Sequence, residues 1–318
     1  MSPSSSVSPR VRARAAVLAA TTVVVAGMLA ACTAEEPTPA SSSVTPEAEV
    51  SATPGTTPTT GSAALGPTTG DCDATASTFR SVVSANPDLP DPSLEATCEG
   101  ESIVVVTNSI PDYVYVATTP GEPNDVVQTF TLPASPVEAA DPDPGDVPRL
   151  GAIAVAVDGV PIYGPTEGTG GDVLSLEGAL SECGSHNGPV DFHMHLFGWT
   201  EGVDCLYSAD VVTSGEAVLV GWAADGYPIM SGLVCADDAC EEMAQLTSSW
   251  ELTDESAFAT DTWATHSYVE GSGDLDECNG RVDADGQYRY YTTATFPYMI
   301  GCYHGEVAEG ALPGGGAP

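Results

Sequence analysis

One pattern occurs twice in this chain and constrains its fold more than any other feature. Residues 151–164 read GAIAVAVDGVPIYG and residues 218–232 read VLVGWAADGYPIMSG. Each is an apolar run, then Asp-Gly, one residue, then Pro-Ile. A strand entering a tight turn accounts for this, with Gly159 and Gly226 supplying permissive backbone angles. Pro161 and Pro228 are expected to stop each ladder from continuing in the same register. The downstream segment recurs too. Cys183-Gly-Ser-His186 is followed by Phe192-His-Met-His195, and Cys278-Asn-Gly-Arg281 by Tyr288-Arg-Tyr-Tyr291. The pattern predicts a mainly β, disulfide-stapled domain built from two related halves.

Further strands are expected at Ser102–Thr107, Tyr113–Val116 and Val126–Leu132, which are rich in β-branched residues and separated by Pro, Gly and Asn. Residues 134–149, rich in Pro and Asp, read as a loop. No long helical stripe is present. The best short helix candidate is Cys235–Leu246, with Asp237, Asp238, Glu241 and Glu242 in its early part.

Arg10, Arg12 and Arg14 precede an apolar run from Ala15 to Ala31 that ends in Leu29-Ala30-Ala31-Cys32. This reads as an export signal, and its last four residues look like a bacterial lipobox. Cys32 is then the expected lipidation site, its acyl chains (palmitate among them) holding the protein at the membrane by buried CH₂ groups. The expected organisation is a lipoprotein signal at 1–31, a Thr/Pro/Ser-rich tether at 32–70, the folded domain at 71–312 and a tail at 313–318. The tether has too few large apolar side chains to fold. The protein is accordingly expected at the extracytoplasmic face of the cell membrane.

The chain has 45 Asp and Glu against 7 Arg and no Lys, a net charge of −38. Removing residues 1–31 takes away three Arg and no acid, leaving four Arg and a charge of −41. Phosphate neutralisation needs basic side chains, so nucleic acid is not an expected partner. Divalent cations are, and a protein or glycan partner is left open. The acids also offer many carboxylate pairs, with no specificity for glycoside chemistry. Gly-x-Ser-x-Gly, His-Glu-x-x-His and phosphate-loop patterns are absent.

Eight Cys remain besides Cys32, an even number in an exported context. Sequence proximity suggests the pairs Cys72–Cys98, Cys183–Cys205, Cys235–Cys240 and Cys278–Cys302. A zinc–thiolate site is the competing reading, but its usual close Cys pairs are mostly missing.

The chain resembles the YHYH-domain proteins, named for a Tyr-His-Tyr-His signature. The resemblance rests on Asn108-Ser-Ile-Pro-Asp-Tyr113, Gly159-Val-Pro-Ile-Tyr163, Cys183–His186, Phe192–His195, Gly221-Trp-Ala-Ala-Asp-Gly-Tyr-Pro-Ile229, Leu275–Arg281 and Phe296-Pro-Tyr-Met-Ile-Gly-Cys302. It spans roughly residues 101–306 and implies a secreted or surface protein rather than a particular chemistry. The first copy keeps both His but has Phe192 and Met194 at the Tyr positions. The second, Tyr288-Arg289-Tyr290-Tyr291, has lost both His, and Arg281 stands where the first half has His186. Any activity needing paired sites is therefore in doubt.

On a strand, residues two apart share a side, so His193 and His195 should face one way and Phe192 and Met194 the other. With His186 nearby, three imidazoles could hold Zn or Cu. Asp191 is a candidate fourth ligand or an orienting group behind a ring. The bland alternative has these His hydrogen-bonded to carboxylates. His266 and His304 are weaker candidates to complete a site. Arg281 and Arg289 are expected to pair with buried carboxylates such as Asp276 or Glu277, with anion or substrate binding as the alternative. Asp283-Ala284-Asp285-Gly286 resembles part of a calcium loop but reads better as a hairpin turn.

Two functional readings follow. One is a surface lipoprotein whose domain is a binding or structural module with a His-based divalent metal site. The alternative is a copper- or zinc-dependent extracytoplasmic enzyme.

Overall fold

A three-stranded antiparallel sheet opens the domain, formed by β1 (Leu94–Glu99), β2 (Ser102–Thr107) and β3 (Gln128–Pro133). The computed structural model describes residues 66–237, 239–240 and 242–315. The expected signal, Cys32, most of the tether and residues 316–318 of the expected tail lie outside the described residues. Residues 66–70 already engage the fold: Gly70 N–H donates to the Ala134 carbonyl at 2.8 Å, and Arg289 donates to the Pro67 carbonyl at 3.2 Å.

The two Asp-Gly repeats form hairpins of the same design. The first joins β4 (Ala152–Ala156) to β5 (Pro161–Tyr163) and is followed by β6 (Ser185–Asn187) and β7 (Phe192–Met194). The second joins β8 (Leu219–Ala223) to β9 (Pro228–Met230). Asp158 Oδ1 accepts from the Val160 N–H at 3.1 Å, and Asp225 Oδ1 from the Tyr227 N–H at 3.3 Å. Gly159 and Gly226 have φ of +88° and +86°, and a Cβ would fall 2.6 Å from Thr107 Oγ1 and 2.4 Å from the Pro133 carbonyl, respectively. The prolines do not interrupt the ladders: Pro161 pairs with Val155 and Pro228 with Trp222. They open the return strands, a position compatible with a missing N–H. The register shifts instead between Ala152 and Ala154 and between Leu219 and Gly221.

Two short antiparallel pairs come next, β10 (Leu233–Cys235) with β11 (Met243–Gln245) and β12 (Trp250–Leu252) with β13 (His266–Tyr268). The first replaces the helix expected at Cys235–Leu246. The Cys235–Cys240 disulfide, five residues apart, folds the chain back, and Ala236 N–H meets the Glu242 carbonyl at 2.8 Å. The strand expected at Tyr113–Val116 is also not formed. There the Asn86 side chain takes the backbone groups, donating to the Tyr113 carbonyl and accepting from the Tyr115 N–H, both at 2.8 Å.

β14 (Gly280–Val282) and β15 (Tyr288–Tyr291) complete an eight-stranded sheet of order β14-β15-β9-β8-β4-β5-β7-β6. β4 and β8 pair antiparallel at its centre. Outward on each side come an antiparallel hairpin partner, a parallel neighbour and an antiparallel edge strand. The 283–286 segment is the expected turn, closed by Gly286 N–H to the Asp283 carbonyl at 2.9 Å.

All five residues of β4 are buried, and one apolar cluster runs from Ile103, Val105, Phe130 and Leu132 to Ile153, Ile162, Trp222 and Ile229. Burying each such side chain contributes about 1.5–3 kcal/mol. All four disulfide pairs suggested by proximity form. Among the described residues the only α-helices are Cys72–Ala76, Ala209–Val212 and Thr262–Thr265, and no helix is long and apolar enough to cross a membrane.

Candidate metal centre

β6 and β7 pair antiparallel with His186 directly opposite His193. His195 follows two residues on, where the strand period returns a side chain to the same face. The other face belongs to the core, with Phe192 and Met194 each 1% exposed. The Cys183–Cys205 disulfide ties down the start of this segment. Gly188 makes room at its turn, since a Cβ there would lie 2.5 Å from His193 Cε1.

The three imidazoles converge. His193 Nε2 lies 2.9 Å from His186 Nε2 and 3.1 Å from His195 Nε2, and all three rings are buried. Their other nitrogens determine what faces the centre. His195 Nδ1 is 2.6 Å from the Gly164 carbonyl, which can only accept, so Nδ1 carries the proton. His193 Nδ1 faces Asp191 Oδ1 at 3.1 Å and the Asp191 carbonyl at 3.2 Å, and is likewise the donor. In the neutral rings both Nε2 atoms therefore point lone pairs at one another. A proton on His193 Nε2 would satisfy one of its two contacts, not both. A cation between the rings satisfies all three.

Burial and the neighbouring His193 lower His186 from its ordinary 6.5 to about 4, and the same two effects hold His195 well below its ordinary value. Both rings are neutral near pH 7, the state in which imidazole ligates a metal. Asp191, 2% exposed, stands behind His193 rather than beside its Nε2. Its carboxylate also accepts from Tyr163 Oη at 3.0 Å and from Gln128 Nε2. Tyr163 stacks on His193 with centroids 3.8 Å apart and planes 9° from parallel.

Glu167 gave no signal in the sequence, being one acid among 45. It arrives through the loop after β5, where Thr166 bridges to Asp172 and Glu167 N–H meets the Gly171 carbonyl at 2.8 Å. Its Oε2 accepts from the Gly168 N–H at 3.3 Å. Its Oε1 is buried without a hydrogen-bond partner, 3.8 Å from His186 Nε2. Tyr163, Gln128 and the Gly164 carbonyl were also not assigned roles from sequence, because they meet the histidines only through sheet pairing. The centre opens into a cavity of about 590 Å³ walled by Pro120, Leu150, Tyr163, Pro189 and Val190.

The other candidates lie elsewhere. His266 stacks on Phe296 at 4.0 Å and His304 on Tyr288 at 3.6 Å. Among the described residues the His186–His193–His195 group is the one set that could hold a metal. At the other end of the sheet, Arg281 lies directly opposite Arg289, as His186 lies opposite His193. The arginines do pair with a buried carboxylate as expected, but it is Asp283 rather than Asp276 or Glu277. Arg281 Nε reaches Asp283 at 3.0 Å, and the fully buried Arg289 reaches Asp283 at 2.9 Å and Asp285 at 2.8 Å. The hairpin turn carries both acids back onto the arginines, while Asp276 accepts from Tyr288 Oη at 3.1 Å.

A family model described as YHYH protein matches residues 129–305, more than half of the chain. No curated protein and no solved structure matches it.

Proposed function

This chain belongs to the YHYH protein family, and from that premise we propose that it is an exported, lipid-anchored module holding one copper or zinc ion on His186, His193 and His195. One observation carries the reading. Three buried imidazoles bring their Nε2 atoms together at 2.9 and 3.1 Å, and two of them are fixed as acceptors from behind. Three neutral nitrogen donors suit either metal. Asp191, Tyr163 and the Gly164 carbonyl orient the rings, as outer partners do in metal sites. The anchor is supported by the lipobox-like Leu29–Cys32 and by the composition that follows it. On the same reading the sheet consists of two related halves, and only the first keeps its histidines.

Elemental mass spectrometry on the exported chain, purified without chelator or tag, tests the metal. About one equivalent of copper or zinc is expected, lost in the His193→Ala, His195→Ala double variant. No bound metal, and no uptake of added copper or zinc, would refute it. Cys32→Ser should move the protein out of the membrane fraction; continued membrane retention would refute the anchor.

The cavity favours a second reading, a metal-dependent enzyme, because it gives small molecules access to the centre. Turnover abolished by chelation and restored by metal would establish it.

A further inference from the structure

We propose that Glu167 is the fourth protein donor to this ion, closing an N₃O set through Oε1. The proposal rests on the metal reading above. A buried carboxylate oxygen without a hydrogen-bond partner carries a desolvation cost. Glu167 Oε1 is such an atom, and it stands 3.8 Å from a converging Nε2. Tetrahedral donors about 2.0 Å from a metal are about 3.3 Å from one another, so Oε1 must move at least about half an ångström toward His186 Nε2 to join the set. Its other oxygen is held by the Gly168 N–H, and its backbone N–H and carbonyl are bonded within the 167–171 loop. The side chain is therefore presented by a fixed loop.

Charge points the same way. Three neutral imidazoles leave a dication uncompensated in a buried site. Glu167 supplies one negative charge and Asp191, behind His193, supplies the second. The consequence concerns what the site does. Four protein ligands mark sites that hold a metal, whereas three with an open position mark sites that use it. Glu167 makes this a holding site, and the cavity becomes the path by which the ion enters.

The test uses the full exported chain, stripped of metal and titrated with zinc against a chromophoric chelator. Glu167→Gln preserves shape and removes the charge. It should weaken zinc binding by at least about tenfold, the loss that outer-sphere partners alone can produce. The visible Co(II) spectrum should change with it, because an anionic carboxylate donor is replaced by a weaker, neutral amide oxygen. Metal-free Glu167→Gln should melt no lower than the metal-free parent, since Oε1 has no hydrogen bond to lose. The exposed Glu177→Gln should bind like the parent. Unchanged zinc affinity and Co(II) spectrum in Glu167→Gln would overturn the proposal and leave the three-histidine site standing. Failure of the parent to bind zinc, cobalt or copper would overturn both.

Discussion

Replacing Asp191 by Asn tests how the histidines are held. The Asp191 carboxylate accepts from Gln128, Tyr163 and His193, all of which present donors. Asn keeps one acceptor oxygen and introduces an NH₂ group, which must face at least one of those donors. If His193 keeps its proton on Nδ1, a buried donor loses its partner at a cost of about 1–3 kcal/mol. If His193 moves its proton to Nε2, Nδ1 accepts from the new NH₂ and part of that cost is recovered. The lone pair facing the metal is then gone. Either route weakens the site. Stability should fall by about 1–3 kcal/mol in urea melts of the metal-free protein, and zinc affinity by about 10–100-fold in chelator competition. That fold-change corresponds to about 1.4–2.7 kcal/mol. Parental affinity together with parental stability in Asp191→Asn would refute the view that Asp191 fixes the His193 tautomer.

Acid should destabilise the metal-free protein. His186 is lowered to about 4 from 6.5, so the unfolded chain binds its proton first as pH falls. Stability should decline from about pH 6.5 to about pH 4, with His195 adding in the same direction. Thermal melts at pH 7.5 and pH 4.5 check this, and it fails if removing His186 leaves their difference unchanged. Breaking Cys183–Cys205 with two Ser substitutions releases a loop with a sequence separation of 22. It should cost about 3 kcal/mol in a denaturant melt and weaken metal binding with it. Gly188→Ala should displace the His193 ring, because the new Cβ would lie 2.5 Å from Cε1. Its zinc affinity should drop at least about tenfold, with most of the fold's stability retained.

The hairpins were legible in the sequence because Asp-Gly-x-Pro-Ile encodes a turn locally. The disulfides were legible because each pair lies close along the chain. The facing of His193 and His195 followed from strand period alone. Other features depend on partners distant in sequence. Asn86 takes the backbone bonds that Tyr113–Val116 needed to form a strand. A disulfide makes a turn of a stretch whose acids suggested a helix start. Glu167 reaches His186 only because β5 lies parallel to β7 and the following loop folds over the site. Arg289 finds Asp283 and Asp285 rather than Asp276 because the hairpin reverses between them. In each case a side chain makes a contact that no local pattern announces.

X-ray absorption at the metal edge of the chain loaded with copper or zinc tests the proposed centre most directly. A first shell of nitrogen and oxygen at about 2.0 Å is expected, with the outer-shell pattern of three imidazoles. A sulfur shell at about 2.3 Å, or fewer than three imidazoles, would contradict it.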